Sequence, residues 1–398
     1  MSALTGIPAE ETRARARGLM ERLGGEVDAV VLFDDQYIQY YTAFAFIPTE
    51  RPVALLIGAD GERTLLVPRL EFEHARNHGH AETVESYREF PDARHPLLQF
   101  GDLLEARGLG AARIGIDQDG YPNVMGYWGP ALSEVVPGAQ LRRITRTVDR
   151  QMAIKSDLEV RIIRESCRWG ARAHELLQAY TRPGVTETEV ENRATAEATA
   201  EMTAALAPHY RGKNRWIQGA LALYRGQIGR NGALPHALNV NAVFQAGDTL
   251  VTGAGAGLWG YLSELERTMF IGEPGPQQRR YFDLMMGAQD LAFSLLQPGA
   301  RCSEVDGAVR EYYRSNGLEG HWRHHTGHGL GQRIHESPFL DIGDDTVLEA
   351  GMVLSVEPGI YDADWGGFRH SDTVLITESG MERLTLYPRE LEALILPA

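Results

Sequence analysis

Two stretches of the chain, RPGVTETEV at 182–190 and QPGARCSEV at 297–305, read as variants of one another. A Pro-Gly step ends a helix and a Thr or Ser a few residues later opens the next, so each copy predicts a helix-to-helix joint. Thr186 and Glu189 have the spacing of a capping box. Repetition of such a joint predicts two similar halves, each a helix pair feeding strands, and therefore a pseudo-symmetric α+β domain with a cleft between the halves. Nine residues alone do not separate such a repeat from chance recurrence of Pro-Gly loops. At 398 residues the chain also exceeds the roughly 250–300 that one hydrophobic core serves, which predicts a second unit ahead of the repeat.

That first unit is expected over residues 1–152 as a smaller α/β domain, and the second over 153–398. The apolar runs AVVLF, VALLIGADGERTLLV and RIGID predict strands, with Asp60-Gly61 as a hairpin turn between two of them. Leu19, Met20 and Leu23 fall on one face of an N-terminal amphipathic helix. From Ile154 to Thr181 apolar residues recur at three and four spacing, the pattern of a long helix entering the second unit. The segments DTLVTGAGAGLWGYLSELERTMFIG, MVLSVEPGIYD and FRHSDTVLITE are apolar, turn-bounded and predicted to be strands.

Apolar residues at 43% and charged residues at 23% describe an ordinary folded domain. A net charge of -15 disfavours non-specific attraction to nucleic acid or an anionic membrane. Cys167 and Cys302 are too few for a disulfide framework, so buried thiols and a reducing compartment are expected. The N-terminus lacks the apolar core of a signal peptide and no run is long enough for a membrane span, which makes the cytoplasm the expected location.

Chemistry concentrates in three places. HWRHHTGHGLGQRIHESPF gathers His321, His324, His325, His328 and His335 among glycines, a composition suited to metal ligation or proton transfer. Glu357, in SVEPG, falls in an apolar strand, where a carboxylate needs a partner. GYLSELERTMF places Glu264, Glu266 and Arg267 within an apolar strand; alternation puts both glutamates on one face, where their repulsion calls for a cation.

The motifs HTGHGLGQRIHESP, VLSVEPG, GFRHSDTVLI and GYLSELERT occur in the order seen in the pita-bread hydrolases, and the chain resembles the prolidase and creatinase branch of that family. The resemblance runs closely from about Met152 to the end, and the N-terminal domain is similar in length and style. It implies a pita-bread catalytic domain, a homodimer, and in the peptidases a pair of divalent metals held by two Asp, one His and two Glu. Position by position, the histidine ligand falls on His328 and the first Glu on Glu357, but the two Asp positions fall on Gly253 and Glu264 and the last Glu on Ser371. Gly253 offers no ligand, which puts the dinuclear site in doubt.

Leu-Glu-Arg-Thr at 265–268 is similar to creatinase, the metal-free member, in which the corresponding Glu meets the substrate's guanidinium. The same resemblance gives His236 the place of the catalytic histidine, His335 and Glu336 the prolidase His-Glu-x-Pro pattern, and Arg51 the place of an arginine that grips a substrate carboxylate in the other subunit's cleft. The first expectation is therefore a cofactor-free C–N hydrolase of a small zwitterion such as creatine or ectoine. In it His236 acts as base and acid, Glu266 and Glu357 hold the cation (with Glu266 conceivable as a nucleophile), and His328, His335 and Arg51 hold the oxyanion or carboxylate. The second is an Xaa-Pro dipeptidase or aminopeptidase with one Mn, Co or Zn on Glu264, His328 and Glu357. The third is a non-catalytic relative that keeps only the fold. The loop HYRGKNRWIQGALALYRGQ, with Tyr210, Trp216 and Tyr224, is a candidate pocket wall, core aromatics being the plainer alternative.

Overall fold

The computed structural model describes residues 4–214 and 217–398. The chain divides into two compact units, residues 7–152 and residues 1–6 with 153–398.

The first unit is built on a six-stranded sheet: β1 (Ala29–Leu32), β2 (Ala54–Gly58), β3 (Arg63–Pro68), β4 (Thr83–Tyr87), β5 (Arg113–Ile116) and β6 (Gln140–Arg143), in the order β4-β3-β2-β1-β5-β6. β2 and β3 form the hairpin predicted at Asp60-Gly61, with Gly61 at φ 82°, where a side chain would be strained. Both faces of the sheet are covered, because alternate residues of one strand enter different cores. Val30 and Leu32 join one cluster with Leu19 and Leu23 of the helix Ala9–Leu23, while Ala29 and Val31 join the other with Phe100 and Leu104.

The second unit holds a curved antiparallel sheet assembled from β7 (Ala220–Leu223), β9 (Gly253–Leu258), β10 (Tyr261–Leu262), β11 (Leu265–Glu266), β13 (Gly327–Gly329), β14 (Glu336–Leu340), β15 (Val353–Val356), β18 (Ser371–Thr377) and β19 (Gly380–Arg383). β8 (Thr249–Val251), β12 (Thr268–Ile271) and β20 (Ile395–Leu396) form a small second sheet, and β16 (Gly359–Asp362) pairs with β17 (Gly366–Arg369). The helices Asp157–Tyr180 and Glu187–Leu206 pack on β7 and β9, and the helices Pro276–Leu295 and Cys302–Ser315 on β14, β15 and β17. The predicted long helix begins three residues later than expected because Ser156 and Glu159 close a capping box there.

The sequence repeat is structural. Gly184 and Gly299 both have left-handed backbone, at φ 84° and 90°, and each donates its N–H to a carbonyl of the segment returning toward the sheet, Phe244 in one half and Leu348 in the other. Thr186 and Arg301 then form equivalent bridges with Val243 and Val347. The two joints differ at the cap. Thr186 caps its helix through its hydroxyl, but in the second copy Arg301 occupies the cap position, so that helix opens at Cys302 and not at the expected Ser303. Among the described residues no helix is long and apolar enough to cross a membrane.

Candidate functional site

Where the two halves of the large sheet meet, antiparallel register gathers residues far apart in sequence. Glu266 on β11 pairs with Ser371 on β18, and His328 on β13 lies opposite Ser355 on β15, whose last residue precedes Glu357. The result is a cavity of about 190 Å³ lined by Arg225, His236, Gly253, Glu264, Glu266, His335, Glu357 and Arg369, with Ile217, Leu221, Leu223 and Ile334 as its apolar wall.

One side of the site is a histidine held between two acids. His328 Nδ1 lies 3.0 Å from the Gly329 carbonyl, which leaves Nε2 facing Glu357 Oε1 at 3.2 Å and Glu264 Oε2 at 3.7 Å. Burial alone would lower this imidazole, but the contact with Glu357 and the charge of both carboxylates raise its pKa to about 9. Glu357 moves the other way: against the effect of burial, His328 and then Arg369 hold it well below the usual carboxylate range. Glu264 is raised to about 7, first by burial and then by Glu357, and its carboxylate accepts from the Ser371 hydroxyl at 2.9 Å. His335 stacks on His328 with ring centroids 3.8 Å apart and is driven down to about 4 by burial and by the His328 charge.

The opposite side corrects an expectation. Glu266 was expected to await a cation from outside; the chain itself supplies two. Arg369 clasps it in a two-pronged pair, one prong Nη2 to Oε1 at 2.6 Å, and Arg225 Nη2 reaches the same Oε1 at 2.6 Å. Arg369 also donates to the Tyr361 hydroxyl at 2.9 Å, which in turn lies 2.7 Å from His324 Nε2. Three carboxylates therefore face two guanidiniums and an imidazolium, and the site is close to neutral, not surplus-negative.

Arg225 also stands where a longer side chain at 253 would point. A Cβ on Gly253 would meet Leu223 Cδ1 at 3.2 Å and lie 3.8 Å from Arg225 Nη2, so it is a side chain reaching beyond Cβ that would meet the guanidinium. Ser371 is fully buried between Ser355 Oγ at 2.7 Å and Glu264. A dinuclear metal site does not fit these residues: at two of the four acid positions of the family set, Gly253 and Ser371, there is no carboxylate, and arginine charge lies beside one of them. A single ion does fit the donors that remain. Glu264, His328 and Glu357 each present a ligand atom within 4.8 Å of the others, and His328 Nε2 is buried without an aligned hydrogen bond.

The remaining expectations fall out as follows. Arg267, the third charge of GYLSELERTMF, points away from the cavity and forms a fully buried pair with Asp372 at 2.8 Å, with further bonds to the Pro388, Tyr387 and Ser371 carbonyls. His236 sits on the exposed loop after residues 229–233 and reaches the cavity wall. His321 pairs with Asp362, and Glu336 is spent in a buried pair with Lys155 at 3.0 Å. Arg51 lies in the first unit, paired with Glu50 and Glu89. Tyr210 and Tyr224 are not in the wall; Tyr224 is buried against Phe244 and bonds Thr181, as a core aromatic does. Trp216 lies outside the described residues. Neither Arg225 nor the carboxylates Glu187 and Glu191, which accept from the backbone of its turn, stand in a pattern that marks them for the site, and Arg369 lies inside the motif GFRHSD with no spacing that marks it as a partner of Glu266.

Comparison with known proteins places the chain by family and fold. The profile of metallopeptidase family M24 matches residues 161–378, and that of the creatinase/prolidase N-terminal domain matches residues 13–153. The chain is 32% identical over 382 residues to an uncharacterized peptidase, YqhT, of Bacillus subtilis, covering 95% of this chain and 98% of that one. It is 31% identical over 337 residues to an Xaa-Pro dipeptidase of Pyrococcus furiosus, covering 85% and 88%. A solved prolidase from Pyrococcus horikoshii OT3 superposes with a TM-score of 0.76 at 26% identity, over 95% of this chain and 99% of that one.

Proposed function

The chain belongs to metallopeptidase family M24, a pita-bread hydrolase with a creatinase/prolidase N-terminal domain, and from that premise we propose that it hydrolyses a C–N bond of a small zwitterionic amidine, the cyclic amidine ectoine being the model substrate, without a metal pair. The observation that carries this reading is the convergence of Arg225 and Arg369 on Glu266, with Gly253 and Ser371 in place of two acids. A site whose fixed charges balance suits a ligand that bears one charge of each sign, and a cavity of about 190 Å³ is below the roughly 300 Å³ at which drug-sized ligands begin.

In this mechanism the amidinium lies among Glu264, Glu266 and Glu357. Glu266, aimed by its two arginines, attacks the amidine carbon and forms a C–O bond while the C–N π electrons pass to nitrogen. The bond to the leaving nitrogen breaks as His236 delivers a proton to it. Water assisted by the same imidazole then displaces Glu266, leaving an amide and an amine on one opened chain. The net change is the addition of one water, and no oxidant or reductant is required. His328, carrying a proton between Glu264 and Glu357, holds those two carboxylates in place.

A second reading rests on the surviving donors: one divalent ion on Glu264, His328 and Glu357, as an Xaa-Pro dipeptidase of the kind found among the relatives. When bound, such an ion polarises a carbonyl and acidifies water. One experiment separates the two. Protein stripped with EDTA is assayed on ectoine and on Gly-Pro, and its metal content is measured. Ectoine turnover that survives stripping, falls at least about a thousandfold in Glu266→Gln, and gives a mass adduct on the wild-type protein after rapid quenching supports the first reading. Gly-Pro turnover that vanishes with EDTA and returns with Mn supports the second and removes the first.

A further inference from the structure

The cleft contains two arginines, and they are not equivalent. Arg369 is saturated: Nε and Nη2 are on Glu266, Nη1 is on the Tyr361 hydroxyl, and the side chain is 3% exposed. Arg225 spends only one nitrogen, Nη2, which is shared between Glu266 and Gln227 at 2.6 and 3.2 Å. Its Nε is buried with no hydrogen-bond partner, and its Nη1 has none among the described residues, while the side chain stays 36% exposed along the cavity wall. A guanidinium with unused donors in a half-closed site is built for a planar anion.

The backbone beneath it is prepared for that task. Arg225 has φ 54°, a left-handed conformation unfavourable for a non-glycine residue, and Gly226 follows at φ 71°. Two acids on the helix Glu187–Leu206 hold this turn. Glu191 accepts from the N–H of Tyr224 and Arg225, and Glu187 from the N–H of Gly226 at 2.8 Å. The strained turn is thus fixed from behind, and the strain is spent on directing one side chain into the cleft.

We infer that Arg225 is the receptor for the substrate's carboxylate, binding it through Nη1, the terminal nitrogen that Glu266 and Gln227 leave unused, and so sets the specificity of the cleft for an anionic group one guanidinium away from the reacting carbon. The inference rests on the reading of the site as one for a small zwitterion, and it names which residue takes the negative end. Gly253 borders the same guanidinium: a Cβ there would lie in ordinary contact with Arg225 Nη2 at 3.8 Å, so a side chain reaching beyond Cβ would compete for its space.

The test uses the full chain, stripped with EDTA and carrying Glu266→Gln so that turnover by either reading is suppressed, and measures binding by calorimetry for two matched pairs: ectoine against its carboxamide, and Gly-Pro against Gly-Pro-amide. With Arg225 present, the acid of a recognised pair binds at least about thirtyfold more tightly than its amide. Arg225→Met removes that preference, and Arg225→Lys restores part of it. Unchanged discrimination in Arg225→Met overturns the inference, as does failure of both acids to bind. If only the dipeptide pair responds, the amidine reading fails while Arg225 keeps its role. Circular dichroism of each variant confirms that lost binding is not lost fold.

Discussion

At the scale of single residues, the site is a set of charges that hold one another in unusual protonation states, and His328 is the clearest case. Its pKa, ordinarily 6.5, stands at about 9 in the fold because Glu357 and Glu264 flank it. The folded state therefore binds this proton more tightly than the unfolded chain does. Stability from the group is fully present below pH 6.5 and is lost as pH rises through about 9. Glu264, raised from 4.5 to about 7, also favours the protonated fold, but its window lies lower, between those two values. The melting temperature of EDTA-treated protein should fall from pH 6.5 to 9; His328→Gln removes the imidazolium's share of that fall and also the charge that lowers Glu264 and Glu357, so protonation of the carboxylates moves to higher pH in the variant. A wild-type profile flat across pH 6.5–9 would show that the imidazole is not held between ionised acids.

At the scale of elements, the helix Glu187–Leu206 does more than cover β7. Glu187 is fully buried and accepts three backbone N–H groups: Gly226 at 2.8 Å, Val240 at 2.8 Å and Ala242 at 3.0 Å. Glu191 adds Tyr224, Arg225 and the Asn239 amide. One helical turn of acids thus fixes both the Arg225 turn and the loop that carries His236, so two functional side chains share a single support. Glu187→Ala removes this support, because it leaves three buried N–H groups, one in the Arg225 turn and two in the 240–242 segment, without an acceptor, at a cost of about 1–3 kcal/mol each. Hydrogen exchange should quicken at 224–226 and at 236–242 together, with little change in β9 or β15. Quickening at only one of the two segments would break the claim of a common support. The Pro-Gly repeat made the helix start legible, since Thr186 and Glu189 declare a cap; it did not make the role of Glu187 legible, because three of its acceptor bonds go to backbone more than thirty residues away in sequence.

At the scale of the whole molecule, what the sequence revealed and what it hid follow the same division. The α+β architecture, the strands and the gathering of His328, Glu357 and Glu264 were readable because they are written as local periodicity or as ordered motifs that register brings together. Charge balance was not readable, because Arg225 and Arg369 reach Glu266 from separate turns and only the closed sheet places them there. This difference can be tested by building the family's five-ligand set on the same scaffold. Gly253→Asp with Ser371→Glu returns a carboxylate to each vacant family position, yet the new acid at 253 grows toward the Arg225 guanidinium and pairs with it. The acid at 371 enters a fully buried spot beside Glu264, where an uncompensated charge is costly. The double variant should therefore melt below the wild type and gain little from Mn. Adding Arg225→Leu frees the carboxylate at 253 and leaves five acids facing only Arg369 and His328, so Mn should now raise the melting temperature in a concentration-dependent way. Strong Mn stabilisation of the double variant with Arg225 intact would mean that the guanidinium does not occupy the space of the first ion, and that the charge balance of the cleft is incidental to its chemistry.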